Sequence, residues 1–350
     1  MTPIPIDESS AHIFAAALRD YAGALSIETA QFSLARFQLT VASDSAGYLA
    51  LCRRALVDDP RFAQAEQRPL HLSVLDYVSH PQMPQSEWVG EMYGAILTAK
   101  GLAAGGYEGT YELPSRLWQI YEIGTGRGVE ALHEPGRFEP WVASFPLRNF
   151  LHWAYQSIGW RIVHAGTLAV DGKGVMIIGS GGAGKSGTTL SGVMAGLDSA
   201  GDDYVAMNLE AGKVSASPVM RLMKQDHKGL ARLGIDPGAR GLGVPNWQNK
   251  YEFDFEVLGA GRRAQTIELK AILMPRIAHA ERSSLRRAPA QAAMMALAPS
   301  NLQQLPGGWR EAMAFTGEIA RRLPAYYLDL GNDPAEIAGT IRGLIAETGQ

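Results

Sequence analysis

The spacing of apolar positions along the chain changes character near residue 138. Before it, HIFAAALRDYAGAL and WVGEMYGAILTAKGLA carry apolar residues at helical spacing, whereas ARFQLTVAS alternates apolar and polar residues as a half-buried strand does. A turn-rich connector follows over residues 124–140. We therefore expect residues 1–138 to form an N-terminal α+β domain, a candidate for substrate or partner recognition.

Residues 139–350 have the pattern of an α/β domain. PLRNFLHWAYQSIG predicts an amphipathic helix, with Pro146 in its first turn and Gly159 at its end. WRIVHAGTLAV and GVMIIG are strand-like runs separated by Asp171 and Gly172, a dipeptide that favours a two-residue hairpin turn. Further strands are predicted in KYEFDFEVL, AQTIELKAILMP and AYYLDL, and helices in QAAMMALA, WREAMAFTGEIARRL and DPAEIAGTIRGLIAET.

A glycine-rich run between the second hairpin strand and the next predicted helix carries the candidate chemistry. Residues 179–186 fit G-x-x-x-x-G-K-[ST], in which backbone N–H groups surround a phosphate, the lysine neutralises charge and the hydroxyl binds Mg²⁺. The helix that follows directs its positive end at the same loop. We therefore expect ATP and Mg²⁺ as cofactors. The expected nucleotide-binding residues are Gly179, Ser180, Gly181, Gly182, Ala183, Gly184, Lys185, Ser186 and Gly187.

Three titratable side chains are predicted to lie near this loop. Continuing the hairpin register outward from its turn puts His164 opposite Gly179. The helix after the loop is about 15 Å long, and the five residues 197–201, if extended, return about 16 Å, so Asp202 and Asp203 reach the level of the loop. One of these carboxylates then meets Mg²⁺ or the attacking hydroxyl, and the other faces neighbouring structure.

The composition of the chain argues against nucleic acid and membranes as binding partners. The 350 residues carry a net charge of −3, so a general basic field for nucleic acid or an anionic membrane is not expected. No apolar run approaches the roughly 20 residues that span a bilayer, and the opening residues do not resemble a signal peptide, which favours the cytoplasm. Cys52, the single cysteine, cannot form an internal disulfide and is predicted to be a buried apolar residue.

The segment VHAGTLAVDGKGVMIIGSGGAGKSGTTLSGVMAGLDSAGDDYVAM resembles the catalytic core of HPr kinase/phosphorylase and its relatives, serine kinases of the P-loop type that are related in fold to phosphoenolpyruvate carboxykinase. The resemblance implies a P-loop kinase domain with a mixed sheet, and the related enzymes are homo-oligomers. It also implies that Lys185 contacts the β- and γ-phosphates, that Ser186 and Asp203 bind Mg²⁺, and that Asp203 is the base for the acceptor hydroxyl. His164 is then a neighbour of Asp203 in the active site, and Asp202 is a second catalytic carboxylate.

A second, shorter stretch, ARGLGVPN at residues 239–246, resembles the Glu-x-Arg-Gly-Leu-Gly segment of the same family. It makes Arg240, Gly241 and Gly243 candidates for a substrate loop. The metal-binding glutamate of the family would fall at Gly238, with Asp236 two residues earlier as a substitute, which leaves the reverse, phosphate-removing activity open. The first 138 residues do not resemble the N-terminal domain of the HPr enzymes, so HPr itself is not the expected substrate.

The sequence thus favours an ATP- and Mg²⁺-dependent kinase that phosphorylates a hydroxyl, with a serine of a peptide or protein as the expected acceptor. Two alternatives remain open. One is a nucleotide-binding regulatory protein without transfer activity, which the loss of the family's glutamate favours. The other is a kinase of a small molecule. It stays open because no motif in the sequence identifies the residues that bind the acceptor.

Overall fold

The chain forms two compact units in a computed structural model that describes residues 4–89, 92–93, 98–99, 101–112, 116–133, 140–258, 261–303 and 305–349. The first unit is Met1–Gly159 with Gln303–Gly308, and the second is Trp160–Leu302 with Trp309–Gln350. The domain boundary expected between residues 138 and 139 lies outside the described residues. The helix predicted in PLRNFLHWAYQSIG groups with the first unit.

The first unit is built on an eight-stranded mixed sheet. Its strand order is β2-β3-β4-β10-β9-β8-β7-β6, and β1 pairs with β5 separately. The strands are β1 Ile4–Ile6, β2 Thr29–Leu34, β3 Phe37–Ser43, β4 Arg68–Asp76, β5 Ser86–Trp88, β6 Met92–Tyr93, β7 Thr98–Ala99, β8 Tyr107–Glu112, β9 Leu117–Glu122 and β10 Arg127–Leu132; the helices are α1 Ala11–Gly23, α2 Ala46–Ala55, α3 Pro140–Ser144 and α4 Arg148–Ser157, with 3-10 turns at Pro60–Gln64 and Leu102–Gly105.

Three predictions in the first unit are confirmed and one is wrong. Helix α1 and strand β3 form where apolar spacing predicts them, and Cys52 is fully buried on α2. A helix is predicted over WVGEMYGAILTAKGLA, but its residues 92–93 and 98–99 are short strands; residues 90–91, 94–97 and 100 lie outside the described part of the chain. Pairing of β7 with β8 in the sheet outweighs a weak local helix preference, as tertiary context commonly does.

The second unit is an α/β domain whose sheet is mixed. The main path of the sheet is β11-β14-β15-β18-β13-β12, with β20 beside β18 and β19 beside β20, while β16 and β17 form a separate hairpin. The strands are β11 Arg161–Val163, β12 Gly166–Val170, β13 Lys173–Ile177, β14 Val205–Asn208, β15 Ser215–Pro218, β16 Leu222–Asp226, β17 Lys250–Asp254, β18 Ile267–Ala280, β19 Ser284–Ala288 and β20 Ala325–Gly331; the helices are α5 Lys185–Met194, α6 His227–Arg232, α7 Ala290–Gln303, α8 Trp309–Arg322 and α9 Pro334–Thr348, with a 3-10 turn at Phe255–Leu258.

Helices cover both faces of this sheet. Strand β13 alternates its side chains, so that Val175 and Ile177 enter a core with α5 and α9. Met176 and Ile178 enter the opposite core, to which α7 and α8 contribute. The strands and helices predicted for this unit are confirmed, except that WRIVHAGTLAV is two strands, β11 and β12, and KYEFDFEVL is a strand only as far as Asp254. No helix within the described ranges is long and apolar enough to cross a membrane.

Candidate functional site

The β12–β13 hairpin fixes the strand that leads into the glycine loop, here residues 179–184. Asp171 and Gly172 form its two-residue turn with φ values of 48° and 75°, as a type I′ turn requires. Val170 pairs with Lys173, so the predicted register is confirmed. Pairing ends at Gly166 and Ile177, two residues before the predicted pairing of His164 with Gly179. His164 therefore lies just beyond the end of the ladder.

The glycine loop turns directly into helix α5. Gly179, Gly182 and Gly184 have φ values of 148°, 80° and 102°, conformations that side chains rarely adopt. The Lys185 Nζ donates to the carbonyl oxygens of Gly179 at 2.7 Å and Ser180 at 3.2 Å, which folds the lysine back over the loop. Residue 184 caps α5 without a side-chain hydrogen bond, so the first N–H groups of the helix have no capping partner from that residue.

Helix α5 approaches strand β12 closely. A Cβ on Gly192 would stand 2.3 Å from the Leu168 Cδ1, which only a glycine avoids. The chain then leaves α5 through Gly196, where Gly196 N–H donates to the Val193 carbonyl and Leu197 N–H to the Gly192 carbonyl, a Schellman ending. This ending reverses the chain toward the glycine loop.

The segment after α5 runs back along β12 to deliver the two aspartates. Ala169 and Asp198 exchange backbone hydrogen bonds of 2.7 and 2.9 Å, and Thr167 N–H donates to the Gly201 carbonyl at 2.9 Å. The return expected from chain length is therefore present, although residues 198 and 199 form single bridges rather than a strand. Asp202 and Asp203 follow at once.

Asp203 lies between two cationic or potentially cationic side chains. His164 Nε2 is 2.8 Å from its Oδ1, and Lys224 Nζ donates to its Oδ2 at 2.8 Å. The three side chains are 14–18% exposed. The His164 ring also stacks on Tyr204, with centroids 5.0 Å apart and planes at 24°. Sequence reasoning predicted the nearness of His164 and Asp203 but missed Lys224, which comes from β16.

Asp202 has a different environment from its neighbour. It is 2% exposed, and within the described part of the chain neither of its carboxylate oxygens has a hydrogen-bond partner of normal geometry. Burial raises the pKa of Asp202, and the charge of Asp203 raises it further. The Ser186 hydroxyl, the backbone N–H of Lys224 and the Lys185 charge act in the lowering direction without offsetting this. Asp202 is thus the carboxylate of the pair that interacts with Ser186 in the first turn of α5.

The pKa of Asp203 moves in the opposite direction. Burial alone would raise it, but the Lys224 charge and the His164 hydrogen bond together outweigh burial and hold the pKa of this carboxyl well below its usual range. The pKa of Lys185 is lowered, chiefly by burial, with the two aspartates acting against the shift. The site therefore fixes a negative charge on Asp203.

The oxygen atoms around Asp202 bear on whether the site can hold a metal ion. Across the described ranges, no group of three or more His, Cys, Asp or Glu side chains is arranged to hold one. Magnesium, however, commonly binds through one or two protein oxygens together with nucleotide phosphates and water. A buried carboxylate with unpartnered oxygens beside a serine hydroxyl fits that requirement, so Asp202 and Ser186 are the residues that would hold Mg²⁺.

The candidate substrate loop lies apart from these contacts. Leu242 is buried in the core under α5 and α9, whereas Arg240, Gly241 and Gly243 are exposed. In the portion of the chain that the structure describes, the Arg240 side chain makes no hydrogen bond or ion pair. Asp236, the expected substitute for a metal-binding glutamate, accepts from the Ala239 N–H at 2.7 Å and closes the turn of its own loop.

The chain is similar to a solved structure, and the similarity is low. Protein-family models give no match to the chain, and curated proteins give none either. Among solved structures, the HPr(Ser) kinase/phosphatase from Coxiella burnetii is similar over 54% of this chain and 99% of its own, with 13% identity and a TM-score of 0.32. At that TM-score the likeness carries no argument about activity. The mixed α/β architecture stands on the strands and helices of the chain itself.

Proposed function

We propose that the chain is an ATP- and Mg²⁺-dependent phosphotransferase that passes the γ-phosphoryl group to a hydroxyl, with a serine of a peptide or protein as the acceptor. The observation that carries this proposal is the placement of the Asp203 carboxylate, which His164 and Lys224 hold beside a glycine loop that leads into a helix. A carboxylate at this position would repel a phosphate, so a site that only binds phosphate has no use for it. It suits the acceptor side of a transfer reaction.

Nucleotide binding is assigned to the glycine loop and the first turn of α5. The N–H groups there and the Lys185 ammonium supply positive charge for the β- and γ-phosphates. Lys185 is held against the loop carbonyls of Gly179 and Ser180 and would exchange those contacts for phosphate oxygens. Ser186 and Asp202 would hold Mg²⁺ in this proposal, and the ion would supply positive charge to neutralise the phosphates.

Asp203 then acts on the acceptor hydroxyl. A strongly lowered pKa makes it a weak proton acceptor, so its main contribution is to orient the hydroxyl. Orientation and charge neutralisation account for most of the catalysis of phosphoryl transfer, whose transition state is loose. His164 keeps the Asp203 carboxylate in place through the 2.8 Å contact and is itself stacked on Tyr204.

The test is a transfer assay with γ-labelled ATP and Mg²⁺ against peptide, protein and small-molecule fractions of a cell extract. Asp203→Asn is expected to bind ATP as the wild type does and to lower transfer by at least about 100-fold, because a positioning group of the transition state is lost. Lys185→Ala is expected to lose both binding and transfer. Lys228→Ala is the matched control, since Lys228 lies exposed on helix α6.

The outcomes separate the three candidate functions. Wild-type label in peptide or protein supports the proposal, and label in the small-molecule fraction alone would replace the acceptor with a metabolite. Full activity in Asp203→Asn would contradict the role given to this residue.

A second candidate is a nucleotide-binding regulatory protein that transfers nothing. The pairing of Asp203 with Lys224 favours it, because a neutralised carboxylate is a poor base. ATP binding without label in any fraction would support this second function.

A further inference from the structure

Lys224 is the charged side chain of the site that no motif accounts for. Its strand, β16, pairs with β17 in an antiparallel hairpin outside the main sheet, and Lys224 is opposite Glu252. The neighbouring pair, Met223 and Phe253, is buried in the core with α5 and α9. Because side chains alternate along a strand, burial of that pair directs Lys224 to the other face.

The position of Lys224 is set by the pair of aspartates as well as by the hairpin. Its Nζ lies 2.8 Å from the Asp203 Oδ2, and its own backbone N–H acts on Asp202. The Lys224 side chain is 14% exposed, so water screens its charge less than it would screen that of a surface lysine. Strand β16 therefore carries a fixed positive charge to the place where two adjacent carboxylates meet.

Two neighbouring carboxylates beside bound phosphates are the usual means of holding a pair of divalent ions, which clamp both sides of a transferring phosphoryl group. Here one of the two carboxylates, that of Asp203, forms an ion pair with the Lys224 ammonium. One Asp203 oxygen contacts His164 and the other accepts from Lys224, whereas neither oxygen of Asp202 has a hydrogen-bond partner of normal geometry among the described residues.

We propose that Lys224 replaces a second divalent ion, so that the site works with one metal ion, on Ser186 and Asp202, and with the Lys224 ammonium as the cation of the acceptor side. This inference rests on the proposed transfer function. It makes Lys224 a positioning residue, because it acts on the acceptor through Asp203.

Metal counting tests the inference without any transfer reaction. Mn²⁺, detected by electron paramagnetic resonance, is titrated into the protein saturated with a non-hydrolysable ATP analogue. The wild type is expected to bind one Mn²⁺ per chain. Lys224→Met is expected to bind two, because removal of the ammonium releases the Asp203 carboxylate. Lys224→Arg, which keeps the charge, and the exposed Lys228→Met are expected to bind one.

A second change makes the assignment specific. Adding Asp203→Asn to Lys224→Met is expected to return the count to one, because the released carboxylate is then gone. Two ions in the wild type, or one in Lys224→Met with a native melting transition, would overturn the inference while leaving the transfer function intact. A wild type that binds no Mn²⁺ with the nucleotide would instead contradict the proposed function, and the inference with it.

The inference also predicts a kinetic separation. Lys224→Met is expected to lower kcat about 100-fold with the KM for ATP within about twofold of the wild type, because only acceptor-side charge is lost. Lys224→Arg is expected to recover at least about a tenth of the lost rate. A structural role alone would change stability and both kinetic constants together, and that result would count against the inference.

Discussion

Asp202 and Asp203 are adjacent in the chain, yet their surroundings move their pKa values apart. Burial and the neighbouring charge raise the pKa of Asp202, whereas Lys224 and His164 overcome burial at Asp203 and lower its pKa. Pairs of acids divided in this way are typical of sites where two carboxyl groups have different tasks. The family resemblance implies Asp203 as the metal ligand, whereas the proposed function assigns the metal to Asp202, whose oxygens have no hydrogen-bond partner of normal geometry among the described residues.

Replacing Asp202 is expected to stabilise the metal-free protein and to weaken its Mg²⁺-dependent binding of ATP. A folded-state pKa above the unfolded value means that the carboxyl costs stability as pH rises above about 4, so Asp202→Asn raises the melting temperature of the metal-free protein at pH 8. The gain is expected to shrink toward pH 4. The same variant is expected to weaken Mg²⁺-dependent ATP binding at least about tenfold, because a charged ligand is lost.

Melting curves at pH 4 and pH 8 and calorimetric titration with and without Mg²⁺ measure both effects. Glu347→Gln is the control, because Glu347 lies exposed on α9 and its replacement removes one negative charge from the surface of the same unit. A melting temperature for Asp202→Asn below that of the wild type at pH 8 would contradict the assigned cost of the buried carboxyl.

At the scale of the element, the β12–β13 hairpin is the part of the site that local sequence determines. Asp171 and Gly172 accept the two positive φ values of the turn, and a two-residue turn leaves only one register. The pairing of Val170 with Lys173 was therefore predictable. The place of His164 was predictable only in outline, because the ladder stops at Gly166 and the histidine is held by Asp203 instead.

The position of Lys224 was not predictable from local sequence. It lies 21 residues beyond Asp203, on a strand whose pairing partner, β17, begins at Lys250. The alternation of apolar and polar residues along β16 predicts which of its faces is buried. The local sequence does not determine what the polar face contacts. Contacts of this kind depend on how the hairpin docks, and therefore on the whole core.

The packing of α5 on β12 gives a prediction about this element. Gly192→Ala would put a Cβ 2.3 Å from the Leu168 Cδ1, and Leu168 is fully buried, so the helix or the leucine must shift. Strain of this kind costs about 1–3 kcal/mol of the free energy of unfolding. Gly343→Ala, in the interior of α9 with open space around it, is expected to stabilise by about 0.5–1 kcal/mol.

Urea unfolding measures both changes in the free energy of unfolding. The comparison separates steric contact from helix preference, since both substitutions add the same methyl group to a helix. Equal effects of the two would contradict the close approach of α5 to β12. ATP binding by Gly192→Ala should also weaken, because the glycine loop leads directly into the first residue of α5 and a shift of the helix would move the loop.

At the scale of the whole molecule, the chain buries separate cores in its two units. One core joins α1 to the sheet of the first unit, and two others lie on the faces of the second sheet. The change in pattern near residue 138 predicts a domain boundary there, and that boundary stays a prediction, because residues 134–139 lie outside the described part of the chain. The change in pattern could not indicate that residues 303–308 return to the first unit, because that grouping rests on contacts distant in the sequence.

The first unit contains a fully buried glutamate, Glu130, whose pKa is raised toward neutrality. Glu130 on β10 is 1% exposed, and burial raises its pKa to about 7, with the Gln119 hydrogen bond acting against the shift. Gln119 Nε2 donates to Glu130 Oε2 at 2.7 Å, and Asn149 donates to Gln119 Oε1 at 2.6 Å. The acid is therefore held in a polar network inside the sheet core.

This glutamate is expected to make the first unit less stable as pH rises. Its folded-state pKa of about 7 exceeds the ordinary value of 4.5, so the folded form binds more protons between those two values and stability falls across that window. A difference of this size corresponds to about 3 kcal/mol, or roughly 6–12 °C in melting temperature for a unit of this length. Glu130→Gln keeps the amide contacts and removes the charge, so it should abolish most of the fall.

Scanning calorimetry at pH 5 and pH 8 on the full chain compares the wild type, Glu130→Gln and the surface change Glu28→Gln. The wild type and Glu28→Gln should lose melting temperature between the two pH values, and Glu130→Gln should lose much less and be the most stable at pH 8. Equal pH shifts in all three proteins would mean that Glu130 titrates normally and that its burial carries no cost. Because Glu130 lies in the unit without the glycine loop, ATP affinity at pH 8 should be the same in all three.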